Sequence, residues 1–299
     1  MRVVVTGGGG RIGRSTVAEL QEHGHEVTLF DLVPPAQPLP PGVRLCLGTV
    51  DDAGSVMTLL RNARGEAVVH LARASTNHDD LTVFRSNVIG TYHVLQAAVT
   101  CGLAVAVVAS SIQALGDYWS LRLAPQYLPL DEAHPCAPRG PYQTAKLLIE
   151  ETCRAITREH GLVTVAIRPT GVVVPERWPE LRRLWETAGA GERPPVGGAL
   201  GSYVEARDVG QLIRRAVEQA GRGTFQGAHV LHASGADAFG DQSLAALIAR
   251  RHPHCAQVAA SLAPGQSGVS IATARDLLGY EPRYRWREMF AAVAAADAL

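Results

Sequence analysis

The opening stretch, residues 1–31, "MRVVVTGGGGRIGRSTVAELQEHGHEVTLFD", decides the fold. A β-branched run, Val3 to Val5, meets four consecutive glycines, and a segment with apolar positions at Ile12, Val17 and Leu20 follows. Glycine costs roughly 1 kcal/mol relative to alanine in regular structure, and a plain turn between strand and helix would need only one. The spacing Gly7, Gly10, Gly13 answers the needs of a dinucleotide site. Such a site requires a tight turn, close backbone approach to a pyrophosphate and close helix–strand packing, with the anion at the helix N-terminus. Further on, "EVTLFD" (26–31) reads as a second buried strand ending at Asp31. A carboxylate there can accept both ribose hydroxyls of an adenosine and repels a 2′-phosphate. NAD is therefore expected ahead of NADP, with Arg11 and Arg14 as the groups that could hold a phosphate instead. Taken alone, Asp31 also fits an ordinary turn aspartate.

Outward from this stretch, strands and helices alternate with the period of βαβ units. "VRLCLG" (43–48), "EAVVHLA" (66–72), "LAVAVVASS" (103–111) and "LVTVAIRP" (162–169) read as strands, with helical patterns between them, including residues 141–160. The unbroken apolar runs suit central parallel strands covered on both faces. The expected fold is α/β, a Rossmann-type, doubly wound parallel sheet. The Pro-rich "VPPAQPLPP" (33–41) reads as a stiff surface loop. Beyond Pro169 the pattern loosens: residues 172–201 mix helix and turn signals, and shorter elements follow. The chain divides into 1–169, the dinucleotide-binding region, and 170–299, which partly completes the sheet and partly forms a small substrate lobe.

Lys plus Arg and Asp plus Glu both number 28, giving a formal net charge of zero without runs of like charge. Nothing points to nucleic acid or an anionic membrane surface as partner. Met1-Arg2 leads straight into a strand, so no signal peptide is expected, and no apolar run reaches membrane-spanning length. The five cysteines, Cys46, Cys101, Cys136, Cys153 and Cys255, are scattered without metal-ligand spacing. Most are expected to be small core residues of a reduced, cytoplasmic protein, and no metal site is expected.

Candidate chemistry sits in "PYQTAK" (141–146). Tyr142 and Lys146, four apart on a helix, share one face. A phenol is a poor base near its ordinary pKa of about 10, and an ammonium one turn away stabilises the phenolate. The pair can relay a proton to or from a carbinol or carbonyl, although a chance Tyr/Lys pair on an exposed helix would look the same. Ser111, at the end of "VVASS", stands where a hydroxyl could hold a substrate oxygen.

These residues resemble the extended short-chain dehydrogenase/reductases, the NAD-dependent epimerase/dehydratase family. Residues 6–13 resemble its T-G-x-x-G-x-x-G loop, "VVHLA" (68–72) its fourth-strand motif, and "NVIGTYHVLQAA" (87–98) its N-V-x-G-T helix. "ASSIQALG" (109–116) is similar to its serine strand and "PYQTAK" to its Y-x-x-x-K, while 167–173, 203–209 and 274–288 resemble later landmarks. The resemblance implies Ser111, Tyr142 and Lys146 as the catalytic set, with Tyr142 as acid/base and Lys146 also on the nicotinamide ribose. It implies that Gly7, Gly10, Arg11, Ile12 and Gly13 meet the pyrophosphate and Asp31 and Leu32 the adenosine ribose. Thr49 and Val50 would lie by the adenine, Leu71, Ala72 and Arg73 would line the cofactor, Asn87 would support that wall, and Pro169 and Thr170 would reach the nicotinamide end.

Three departures from the family pattern matter. Thr49 replaces an aspartate near adenine, Arg73 replaces a small residue, and Ile112-Gln113 stand where dehydratases place Asp-Glu, which disfavours elimination of water. The lobe and the ending resemble compact, uronate dehydrogenase-like members. The expected function is NAD-dependent hydride transfer on a small polar, sugar-derived hydroxyl or carbonyl. The alternatives are a nucleotide-sugar epimerase that retains NAD and, against an intact Ser/Tyr/Lys set, a noncatalytic NAD-binding protein. Apolar positions on the helices at 80–101 and 141–160 would serve a homodimer interface or simply cover the sheet.

Overall fold

Val3, Val4 and Val5 fill strand β1 (Arg2–Thr6) and are buried, as a β-branched run is when helices cover a parallel sheet from both sides. The computed structural model describes residues 1–74, 77–187 and 198–297. In it β2 (Glu26–Asp31) and β3 (Arg44–Leu47) extend the sheet on one side of β1. On the other side follow β4 (Ala67–His70), β5 (Val105–Ala109) and β6 (Val163–Pro169). A short pair, β7 (Gly171–Val173) and β8 (Tyr203–Glu205), stands apart, and β9 (Ala228–Ala233) adds beside β6. Among the described residues the main sheet has seven strands, all parallel, in the order β3-β2-β1-β4-β5-β6-β9.

The helices in chain order are α1 (Arg11–Glu22), α2 (Ala53–Ala63), α3 (Asp80–Thr100), α4 (Gly140–His160), α5 (Trp178–Thr187) and α6 (Ala206–Gly221). Four more follow: α7 (Leu244–Arg251), α8 (Ala256–Ala259), α9 (Ala272–Leu278) and α10 (Trp286–Asp297). Helices α1, α6 and α9 cover one face through a core that includes Leu20, Leu29, Val107, Leu212 and Leu278. Helices α2, α3 and α4 cover the other through Leu60, Val68, Leu95, Ile149 and Ile156. Strand order reverses between β1 and β4, and the crevice at their carboxyl ends is where sheets of this kind bind ligands.

Residues after β6 add β9 to the sheet and enter two further cores. A third core joins Ile112, Leu121 and Leu130 to Leu200, Leu244 and Cys255. A fourth gathers Tyr203, Trp286 and Met289. There the Trp286 amide donates to the Tyr203 hydroxyl at 2.7 Å, and Asp208 accepts the Arg283 and Tyr284 amides at 2.8 and 3.1 Å, tying the C-terminal segment to α6. Of the mixed segment 172–201, residues 188–197 lie outside the described residues.

One expectation fails. Only Cys153 and Cys255 are buried; Cys46 is exposed, and Cys101 and Cys136 are half-buried. "VRLCLG" does form a strand, but β3 is the sheet edge and every residue in it is exposed. Cys101 caps the end of α3, and Cys136 lies in the loop before α4. On the outer side of α3 and α4, Ile89, Tyr92 and Leu148 remain exposed. No helix among the described residues is long and apolar enough to cross a membrane.

Candidate active site

The crevice is a cleft of about 930 Å³ running from the glycine loop to α4. Two glycines fix its floor. Gly7 has φ +69°, and a Cβ there would lie 2.5 Å from the Ala72 amide nitrogen; a Cβ on Gly13 would lie 2.4 Å from the Gly7 carbonyl oxygen. The first shapes the turn and the second lets α1 press against the loop, so neither position tolerates a side chain. Gly10 caps α1 with no side-chain hydrogen bond, and no acidic residue occupies the first turn. The free amides and the positive end of the helix dipole therefore face the cleft, a natural seat for a pyrophosphate.

Asp31 ends β2 beside this seat. Its Oδ2 accepts the Gly9 amide at 3.0 Å and its Oδ1 the Leu32 amide at 2.8 Å, which holds the carboxylate at the cleft edge. Arg14 points elsewhere and pairs with Glu176 at 3.2 Å; Arg11 lines the cleft. Thr49 accepts the Asp51 amide on its Oγ1 at 3.1 Å, and Asp51 itself lines the cleft next to Val50. A carboxylate thus stands two residues beyond the position that Thr49 leaves without one.

Leu71, Ala72 and Arg73 form the wall after β4. Behind it lies a continuous hydrogen-bond chain. The Ala72 amide donates to Thr6 Oγ1 at 3.4 Å, and Thr6 Oγ1 meets His70 Nδ1 at 2.7 Å. His70 Nε2 meets Thr91 Oγ1 at 3.0 Å, and the Thr91 hydroxyl donates to the Asn87 carbonyl at 2.6 Å. Because Thr91 spends its proton on Asn87, the network assigns the imidazole proton to Nε2 and makes Nδ1 the acceptor from Thr6. Burial, with a smaller push from Lys146, pulls the His70 pKa down to about 3 and keeps the ring neutral. Asn87 does not line the cleft: it is buried behind the wall, its Oδ1 accepting the Ala74 amide at 3.1 Å.

The opposite wall is α4. Its N-terminal turns bring Tyr142 and Lys146 to the cleft, with Lys146 Nζ 5.7 Å from the Tyr142 ring centroid and donating to the Ala109 carbonyl at 2.7 Å. Burial first, then the Arg73 cation, lower the Lys146 pKa to about 7, against an upward pull from Glu150. Ser111 lies two residues past the end of β5 and accepts the Gln113 amide on Oγ at 3.1 Å, with Pro169 and Thr170 also in the lining. One helical turn past Lys146, Glu150 is fully buried and receives both Arg168 Nε and Nη2 at 2.7 Å and the Ser110 hydroxyl at 2.6 Å. A bidentate, hydrogen-bonded pair is the form in which a buried ion pair is tolerated.

Phe30, Gly48, Asp51, His78, Thr82, Ser86 and Val172 also line the cleft, outside the residues that the motifs mark, and so does Gln113 of the Ile112-Gln113 departure. An uncapped helix N-terminus at one end, a held carboxylate at the adenosine side and a Tyr/Lys/Ser set at the other end fit a dinucleotide whose far ring reaches Tyr142.

Comparisons with known proteins bear on the family and the fold. Residues 3–223 match the profile described as "NAD dependent epimerase/dehydratase family". The chain is 25% identical to a UDP-glucose 4-epimerase of Lacticaseibacillus casei over 95% of its own length and 92% of that protein. It is 28% identical to a 3-beta-hydroxysteroid dehydrogenase of Mycolicibacterium neoaurum over 71% of this chain and 58% of that one. A solved UDP-galactose 4-epimerase superposes with a TM-score of 0.71 at 25% identity, covering 100% of both chains. The two chains thus match end to end, so the size of the lobe does not separate this chain from nucleotide-sugar enzymes.

Proposed function

The chain belongs to the NAD-dependent epimerase/dehydratase family, and from that premise we propose that it binds NAD and carries out hydride transfer on a carbinol or carbonyl of a small polar, sugar-derived substrate. The observation that carries this reading is the meeting of Tyr142, Lys146 and Ser111 at one end of a cleft whose other end is the glycine loop. NAD, when bound, supplies the hydride acceptor. Tyr142 takes the carbinol proton as the carbon gives up its hydride, leaving a carbonyl, and returns the proton in the reverse direction. Tyr142 takes the proton as the phenolate and becomes the neutral phenol; Lys146 stabilises that phenolate before the transfer and is held in place by its bond to the Ala109 carbonyl. Ser111, just past the end of β5, would hold the reacting oxygen. The amides at the start of α1, with Arg11, would hold the pyrophosphate, and Asp31 would hold the adenosine ribose. Its charge favours NAD over NADP by a charged hydrogen bond of roughly 1.5–3 kcal/mol.

A second reading, epimerisation of a nucleotide sugar with NAD retained, draws on the UDP-glucose 4-epimerase likeness over 95% of the chain. One assay separates the two. Purified protein is given NAD or NADP with a panel of small sugars and sugar acids, and separately UDP-glucose, while NADH and sugar products are followed. Net NADH with a small substrate, and little NAD released on denaturation, supports the first reading. Interconversion of UDP-glucose and UDP-galactose without net NADH, with one NAD per chain, replaces it by the second.

A further inference from the structure

The catalytic end of the cleft carries a cation that no carboxylate answers. Arg73 is exposed, its guanidinium carbon stands 6.0 Å from the Tyr142 ring centroid, and its Nη1 donates to the neighbouring Ala74 carbonyl at 3.3 Å. Among the described residues no acidic side chain pairs with it. Of the carboxylates that line the cleft, Asp31 ends β2 and Asp51 follows β3. Arg73 follows β4, two strand spacings from β2, roughly 10 Å across the sheet. Glu150, the acidic group near Lys146, is sealed behind α4 on Arg168 and Ser110. Two cations therefore flank one phenol, Lys146 at 5.7 Å and Arg73 at 6.0 Å from the ring centroid.

The backbone under Arg73 is held firmly. Its neighbours Ala72 and Ala74 both give their amides to the network of Thr6, His70, Thr91 and Asn87. The guanidinium thus stands on a braced wall and beside the reacting atoms. The pyrophosphate seat lies at the other end, where the uncapped start of α1 and Arg11 already supply positive potential.

We infer that Arg73 recognises a carboxylate on the substrate, so that the substrate is a small hydroxy acid whose carboxylate lies close to the carbon reacting at Tyr142. The inference rests on the hydride-transfer reading above and names its substrate class. A guanidinium offers a planar fork of donors matched to a carboxylate. An uncharged sugar would leave that fork to water, whereas a carboxylate would replace the water with a charged, bidentate contact.

Binding tests this without requiring turnover. The full chain, loaded with NADH, is titrated calorimetrically with galacturonate, glucuronate and glycerate, and with their uncharged partners galactose, glucose and glycerol, at one ionic strength. At least one acid should bind more tightly than its partner by roughly ten- to a hundredfold, the scale of a charged hydrogen-bonded contact. Arg73→Gln should erase that margin and Arg73→Lys keep part of it, with NADH affinity falling far less than acid affinity. Three results overturn the inference: no acid outbinds its partner, the margin survives Arg73→Gln, or Arg73→Gln weakens NADH as much as the acid, which gives the guanidinium to the cofactor. Tight, Arg73-dependent acid binding with no NADH formed from NAD supports the Arg73 assignment and counts against the hydride-transfer reading alone.

Discussion

The two walls of the cleft are braced in opposite ways. Behind β4 the bracing is neutral: Thr6, His70, Thr91 and Asn87 pass hydrogen bonds along a chain that ends on the Ala72 and Ala74 amides. Behind α4 it is ionic: Glu150 takes a bidentate grip from Arg168 and a third bond from Ser110, all buried. Each fits what its wall must do. The β4 wall offers backbone to a cofactor, and a neutral network fixes backbone without adding a field. The α4 wall must keep a buried ammonium near a phenol, and a carboxylate one turn beyond Lys146 favours the charged form that burial and Arg73 oppose.

The sharpest way to break this contrast is to remove one partner of the ionic brace. Glu150→Gln should lower stability by about 3–5 kcal/mol in denaturant unfolding, because Arg168 is left charged and buried. Replacing both groups by apolar residues, Glu150→Leu with Arg168→Met, should cost less than the single change. A loss for Glu150→Gln no larger than that of a surface substitution would mean the pair braces nothing.

The neutral brace is tested by acid. The unfolded chain takes up a proton on histidine near pH 6.5, whereas folded His70 does so only near 3. Between those values the unfolded chain binds more protons, so stability present above pH 6.5 is lost as pH falls. His70 alone should account for about 2 kcal/mol of loss by pH 5, read as the difference in pH-dependent unfolding between the protein and His70→Asn. Identical pH profiles would remove His70 from that role. Next in size, Asn87→Ala should cost about 1 kcal/mol in unfolding, the worth of the hydrogen bond to the Ala74 amide. The smallest effect belongs outside both walls: Arg14→Ala, which breaks an exposed pair with Glu176, should cost less than about 1 kcal/mol, and a larger loss would give that surface contact a weight the contrast denies it.

Much of the cleft was legible because βα periodicity sends each strand's carboxyl end to the same edge. Once "RVVVTGGGGRIGR", "EVTLFD", "VVHLA", "VVASS" and "PYQTAK" are assigned to strands, turns and helix starts, Gly7, Asp31, Ala72, Ser111 and Tyr142 must converge. Partnerships across long separations were not legible. Glu150 and Arg168 sit on different elements, and His70 bridges two threonines, one from β1 and one from α3. Asn87 reads from its motif as a support of the wall, and packing shows how it acts: from behind, through the Ala74 amide. The cysteine in "VRLCLG" reads as a small core residue, whereas its coverage depends on which strand ends up at the edge. His78, Thr82 and Ser86 reach the cleft from the start of α3 and the turn before it, where no local pattern marks them.

The central claim is that Tyr142, supported by Lys146, moves the proton at the end of an NAD cleft. Tyr142→Phe tests it most directly, with NADH affinity measured alongside steady-state turnover on whichever substrate the protein accepts. The account predicts a folded variant that still binds NADH and loses turnover by roughly a hundredfold or more, the scale of positioned acid–base catalysis. Turnover close to that of the unaltered protein would contradict it.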